Sequence, residues 1–329
     1  MPDTPIALEA VNSVTVTTLV DNYIDVLLMD QGPAKRLGLP TADTPRVPAA
    51  VLEEGQTSDA PLAEHGFSAM ITLASDGHEH RVLFDTGMTP DGLVENMRRL
   101  GLSPKDFEAI VLSHGHFDHT TGLDGIIRTL GRPNLPVFLH PEAWSRRRIV
   151  LPGREPFEIP TPSKSAIQGA GFEIIEDKQP SFLLDNSLLI TGEVDRTTEF
   201  EKGFPIHQAK RDGEWQPDPL ILDDQAAIVN VRDKGLVVLT GCGHAGIVNI
   251  LRHARKLTGV ERIYAVIGGF HLNGPLFEPI IPNVCDALAE MDPEVIVPAH
   301  CTGWKAVHAL AARFPNPFIQ NSVGTRFEL

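Results

Sequence analysis

Cysteine is scarce: Cys242, Cys285 and Cys301 are the only three in 329 residues. Three cannot build a disulfide framework, so stability must come from a buried core, which a chain of this length can supply. Two of them adjoin histidines, in GCGH and AHC, a pattern that suits a reduced compartment and a thiolate near a metal. Long apolar runs are missing as well. Nothing approaches the ~18 consecutive apolar residues of a membrane span. The N-terminus lacks a basic stretch followed by an apolar core, so a cytoplasmic location is the expectation. Basic residues are outnumbered, 28 Lys and Arg against 43 Asp and Glu, for a formal net charge of −15. Nucleic acid and anionic membrane surfaces are therefore not expected partners. The run Arg146, Arg147, Arg148 is a local exception and reads as a solvated helix face. There is no short-period repeat, no G-x-S-x-G elbow and no added flavin module.

What is present is an ordinary globular composition, 42% hydrophobic and 22% charged, with 27 prolines and 28 glycines that imply many turns. Alternating or β-branched stretches predict strands at Ser13–Asp21, more weakly at Ile24–Asp30, and at Phe67–Ala74 and Arg81–Asp85, the last two forming a hairpin with its turn near Asp76–Gly77. Further strands are expected at Glu108–Ser113, PVFLH, FEII, Ser187–Ile190, AAIVNV, GLVVLTG, RIYAVIGG and EVIVPAH. Helical periodicity marks MTPDGLVENMRRLGL, GLDGIIRTLG, GIVNILRHARKLTG, PLFEPIIPNVCDALAEM and WKAVHALAARF. Strands and helices recur in both halves. That order fits an α/β (α+β) fold of four layers, an αββα sandwich, as one domain over residues 1–329. Two irregular segments, near 31–64 and 193–219, read as loop insertions that cover a site and set substrate choice. Phe67, Phe200, Phe204, Trp215 and Phe270 are candidates for its apolar walls.

The densest chemistry lies in VLSHGHFDHTT, Val111–Thr121. His114, His116, Asp118 and His119 are four ligand-type side chains within six positions, just past a strand. Imidazole and carboxylate suit zinc, iron, manganese or nickel. Ligands at i and i+2 can meet one ion, with Asp118 and His119 facing a second. A single histidine here would read as a polar surface turn; four such side chains after a buried strand read as a metal site. His244, His271 and His300 each follow a later strand.

SHGHFDH matches the H-x-H-x-D-H signature and so resembles the metallo-β-lactamase superfamily. LFDTG, VDN, EHGFS, TGCGHAGIVNI, GGFHL and PAHCTG resemble its branch of dihydropterin-ribofuranosylaminobenzene 5′-phosphate synthase-like proteins. The matches run from residue 21 to residue 303. The resemblance implies the metallo-β-lactamase fold with one or two divalent ions at the sheet ends, zinc first, with iron, manganese or nickel as alternatives. It implies His114 and His116 at one ion and Asp118 and His119 at the other, completed by His244 and His300. His271 stands between ligand and substrate-facing donor. Cys242 occupies the slot where the superfamily often places a bridging Asp, and Glu193 is a candidate for a position normally filled by histidine. Asp85 is expected to orient the metal-binding loop. His65 is expected to line the pocket, His207 to reach substrate, and His140 to cap a helix.

A metal ion brings the pKa of bound water toward roughly 7 and polarises a carbonyl or phosphoryl oxygen. The expected activity is thus metal-dependent hydrolysis of a small-molecule ester, lactone or phosphoester, with Asp118 aiming the nucleophile. The alternatives are a transferase of the branch's namesake type and a non-catalytic metal-bearing binding protein.

Overall fold

The computed structural model describes residues 5–75, 78–132 and 134–329, and only the backbone of Ser75 and His78. Among these residues, one sheet has eight strands in the order Glu173–Glu176, Pro136–Leu139, Ala109–Val111, His78–Phe84, Ser68–Ser75, Val14–Val20, Arg326–Glu328, Ala34–Lys35. The second runs Ser181–Leu183, Leu188–Ile190, Ala226–Val231, Gly235–Thr240, Ile263–Gly269, Val295–Ala299, with Ala10–Val11 added parallel to Ala226–Val231.

The two-residue period of the strands separates the layers. In Gly235–Thr240, Val237 and Leu239 face the other sheet while Leu236 and Val238 face helices. In the first sheet, Val82 and Phe84 point inward and Leu83 outward. Three apolar clusters result, one between the sheets and one beneath each helical layer, which is the αββα sandwich. Helix Ile247–Thr258 shows how an outer layer is held. Ile247, Val248, Ile250, Leu251 and Leu257 are essentially buried, together worth on the order of 10 kcal/mol before entropic costs. Gly259, left-handed at φ 68°, ends the helix.

Each sheet contains a parallel set: His78–Phe84, Ala109–Val111 and Pro136–Leu139 in the first, and Gly235–Thr240, Ile263–Gly269 and Val295–Ala299 in the second. Parallel sheets bind ligands beyond their carboxyl ends, and here both sets deliver their ends to one edge of the sandwich.

Some local expectations change. Ile24–Asp30 is not a strand: Asp25 bonds the Leu27 amide at 2.8 Å and fixes a turn. The 193–219 segment is not all loop, since His207–Arg211 and Glu214–Pro217 pair antiparallel. Arg147–Ile149 is a strand rather than a solvated helix face, and joins them and Phe157–Ile159 in a small four-stranded sheet. The segment near 31–64 carries a short hairpin, Arg46–Pro48 with Gln56–Ser58. The expected turn at Asp76–Gly77 lies outside the described residues. No helix among them is long and apolar enough to cross a membrane.

Candidate metal centre

The strand ends bring two groups of donors together. Asp118, His119, Cys242 and His300 form one; His114, His116 and His244 form the other; within each, the donor atoms lie within 4.8 Å of one another. His119 Nε2 is 3.2 Å from His300 Nε2 and 3.1 Å from Cys242 Sγ. Asp118 Oδ2 is 3.3 Å from His300 Nε2. In the other group His116 Nδ1 is 3.0 Å from His114 Nε2 and 3.2 Å from His244 Nε2. Donors sharing one ion are separated by about 3.0–3.4 Å, so the spacing suits one cation per group. All six residues expected from the sequence fall in these groups. His271 joins Cys242 and His244 in a third group. Glu193 joins none and instead pairs with His140 at 3.2 Å and Lys178 at 3.7 Å; His244 is the residue that accompanies His114 and His116.

The surrounding hydrogen bonds decide where the ring protons sit. Asp85 Oδ1 accepts the Ser113 amide and Oδ2 the Ser113 hydroxyl, both at 2.7 Å. Having donated its proton, Ser113 Oγ can only accept from His114 Nδ1 at 2.9 Å, which leaves His114 Nε2 as a lone pair. Asp85 Oδ2 also accepts from His119 Nδ1 at 2.7 Å, so His119 Nε2 is the nitrogen left to face a cation. His300 Nδ1 donates to Asn22 Oδ1 at 3.1 Å, and His300 Nε2 is likewise free. His207 Nδ1 donates to the Asp218 carbonyl at 3.1 Å, and its Nε2 accepts from His116 Nε2 at 3.0 Å. That turns the His116 Nδ1 lone pair toward His114. Lone pairs therefore face one another at about 3 Å across both groups, an arrangement that is repulsive unless a cation lies between them. The residues present fit a divalent metal.

Charge follows the same logic. Burial holds His114 and His244 well below the ordinary imidazole pKa and His116 at about 3. With no ion bound, burial would also depress His119, yet Asp85 and Asp118 outweigh it and raise this ring to about 9, so a bound cation would take the place of a proton on its Nε2. Burial opposes ionisation of Asp118, but His119 and His300 outweigh it and keep the carboxyl well below its usual range. Part of the backbone strain lies here. Asp85, His271 and His300, none of them glycine, adopt φ of 57°, 45° and 46° at their strand ends, a cost of roughly 1–3 kcal/mol each that the surrounding bonds must offset. For His300 those bonds include its amide to Asp21 Oδ1 at 2.7 Å. The VDN stretch thus has a job: Asp21 sets the backbone of His300 and Asn22 its ring.

A second layer was not visible in the sequence. Arg147 is buried and bonds both oxygens of Asp223, while Asp223 Oδ2 accepts the Gly115 amide at 2.8 Å. These groups brace the loop between His114 and His116. His207 was expected to reach substrate, but it is fully buried behind His116. The only available signal was the unusual polarity of the LDDQ turn; the pairing with Arg147 spans 76 positions. His140 meets its expectation, its Nδ1 accepting the Glu142 amide at 3.1 Å.

Above the donors opens a cavity of ≈ 630 Å³, lined at its floor by His65, His116, Asp118, Cys242, His244, His271 and His300. His65 Nε2 lies 3.5 Å from Asp118 Oδ2. The walls differ from expectation. The 31–64 segment contributes nothing to the lining, and of the five proposed aromatics only Phe204 does. Phe67 and Phe270 are buried in the core, and Trp215 lies under Arg148.

Residues 65–253 match the metallo-beta-lactamase superfamily, and that span carries His114, His116, Asp118, His119 and His244. The chain belongs to this superfamily. The 7,8-dihydropterin-6-methyl-4-(beta-D-ribofuranosyl)-aminobenzene-5'-phosphate synthase of Methanocaldococcus jannaschii is 32% identical over 266 residues, covering 78% of this chain and 87% of that protein. An uncharacterized protein of the same organism is 33% identical over 264 residues, 80% of this chain and 93% of its own length. Among solved structures, Tm1679, a metal-dependent hydrolase of the beta-lactamase superfamily, aligns with a TM-score of 0.69 at 24% identity over 96% of this chain and 99% of that one, a likeness of fold. Cys242, which the sequence sets in the slot where a bridging Asp is often found, stands with its thiol beside His119.

Proposed function

We propose that the protein is a metal-dependent hydrolase of esters, lactones or phosphoesters. One observation carries this reading: imidazole lone pairs in two groups converge, with Asp118, on the floor of an open cavity. His114, His116 and His244 would hold one ion; Asp118, His119 and His300, with Cys242 beside them, a second. When bound, a divalent ion lowers the pKa of water and polarises the substrate oxygen.

The chain's own groups do the rest. Asp118, ionised and close to the open floor, accepts a proton from the attacking water and aims its oxygen. For an ester, that oxygen bonds to the carbonyl carbon, the bond to the alcohol oxygen breaks, and the alcohol leaves with a proton. His271, strained and cavity-facing, is placed to hydrogen-bond the substrate. Asp85, Ser113, Asn22 and His207 keep ring protons on the far side of the donors and so preserve their geometry.

The second reading is transfer chemistry, supported by the synthase name of the 32%-identical relative. That product name includes a 5'-phosphate, yet among the described residues no lysine or arginine lines the cavity, where a phosphate monoester would ordinarily meet one. That weighs against the relative's phosphate-bearing compounds, and equally against phosphate monoesters as hydrolytic substrates, which leaves hydrolysis of esters, lactones and phosphodiesters as the first reading. A panel of chromogenic esters, lactones and phosphodiesters, offered to metal-loaded protein with no second substrate, tests it. Turnover is expected, and Asp118→Asn should reduce it at least about 10²-fold. Turnover that appears only with an added acceptor would establish the transferase instead.

A further inference from the structure

The cavity has two distinct ends. Its floor is polar and its walls are apolar: Ile149, Leu151, Phe157, Ile159, Phe204 and Phe277. Sheet register explains the division. In the small sheet, Arg147 pairs with Ile159, and Ile149 pairs with both Phe157 and His207. Residues two apart or directly opposite share a face. One face of this sheet therefore carries His207 and Arg147 deep behind the donors, then Ile159, Ile149 and Phe157 toward the mouth. The opposite face carries Arg148 bonded to Gln208 and stacked on Trp215. The sheet that braces the His116 loop thus also supplies one apolar wall of the cavity, through Ile149, Phe157 and Ile159. The apolar surface continues onto the rim, where Leu151, Phe157 and Leu276 are 40%, 55% and 46% exposed. Exposed apolar groups gathered at one mouth mark a binding surface. The lack of a lining lysine or arginine among the described residues and the size, within the range of drug-sized ligand pockets, narrow what fits.

We infer that the substrate is an uncharged ester or lactone bearing an apolar chain or ring, seated against Ile149, Phe157, Ile159 and Phe277 with its carbonyl at the polar floor. This rests on the hydrolytic reading above. A substrate charged along the part that lies against these walls would lose its hydration there without a compensating lysine or arginine, since bound ions would serve only a group at the floor.

The experiment uses metal-loaded full-length protein and two readouts. The first is kcat/KM for 4-nitrophenyl esters from acetate to octanoate. The second is binding of N-phenyl-1-naphthylamine, a neutral fluorescent arylamine, which needs no turnover. Expected are a rise of about three- to fourfold in kcat/KM per added methylene and saturable probe binding displaced by the octanoate ester. Phe157→Arg and Leu276→Arg, at exposed positions that the fold tolerates, should flatten the chain-length slope and weaken probe binding at least tenfold. Hydrolysis independent of chain length, with no probe binding, overturns the inference and leaves the hydrolase standing. Probe binding lost in both variants, with no ester hydrolysed, supports the apolar site and overturns hydrolysis. Preference for phosphorylated aryl esters over neutral ones overturns the inference directly.

Discussion

Asp85 Oδ2 stands 2.7 Å from His119 Nδ1, and the same carboxylate holds the amide and hydroxyl of Ser113, whose Oγ in turn meets His114 Nδ1. One buried acid thus sets the proton position on a ring in each donor group. Asp85→Asn replaces one acceptor oxygen with a donor and removes the charge. Metal affinity should fall by about 10–100-fold with secondary structure retained. Metal titration alongside circular dichroism checks this; unchanged affinity would remove Asp85 from the centre.

If each donor group holds its own ion, as proposed, the two can be lost separately. His300→Ala should cost one equivalent of metal and His114→Ala the other, with a chelator removing both from the parent protein and lowering its melting temperature. Elemental analysis after dialysis decides it. A single equivalent in the parent that either substitution abolishes would mean one shared ion.

Burial pushes the Cys242 thiol well above its ordinary value, so it becomes a thiolate only if a cation takes the proton's place. Cobalt substitution should then give a sulfur-to-cobalt charge-transfer absorption in the parent protein. That band should vanish in Cys242→Ala and persist in Cys301→Ala. Its absence from the parent would assign Cys242 to packing alone.

Arg147 is buried with Asp223 and Asp218. Arg147→Met leaves buried carboxylates uncompensated and should destabilise the protein by about 3–5 kcal/mol in urea unfolding; a loss under about 1 kcal/mol would be inconsistent with that burial. Burial opposes ionisation of both acids, but for Asp223 Arg147, and for Asp218 His207 with Arg147, outweigh it and lower their pKa. Depressed carboxylates stabilise fully above the unfolded value of about 3.9 and lose that contribution as pH falls toward the folded value. Arg147→Met should therefore show a shallower loss of stability below about pH 4.

The metal motif was legible because it is local. His114, His116, Asp118 and His119 fall within one turn after one strand, so spacing alone brings them together. The strands and helices were legible for the same reason: periods of two and of 3.6 are properties of neighbouring residues. His244, His271 and His300 could be proposed because each follows a parallel strand, and such strands end on a common edge.

The remainder depends on contacts across the fold. That His244 rather than Glu193 joins His114 follows from the order of strands in the second sheet, which sends Glu193 to His140 and Lys178. His207 was a loop residue by sequence; pairing of His207–Arg211 with Arg147–Ile149 turned it inward behind His116. Part of the cavity wall, Ile149, Phe157 and Ile159, came from the same small sheet, and none of it from residues 31–64. By itself the sequence determined which side chains could bind metal and which strands would carry them. Tertiary structure decided which groups hold the Nδ1 protons of His119, His207 and His300 and which surface substrate meets, because these depend on groups that are distant in the chain and adjacent only after folding.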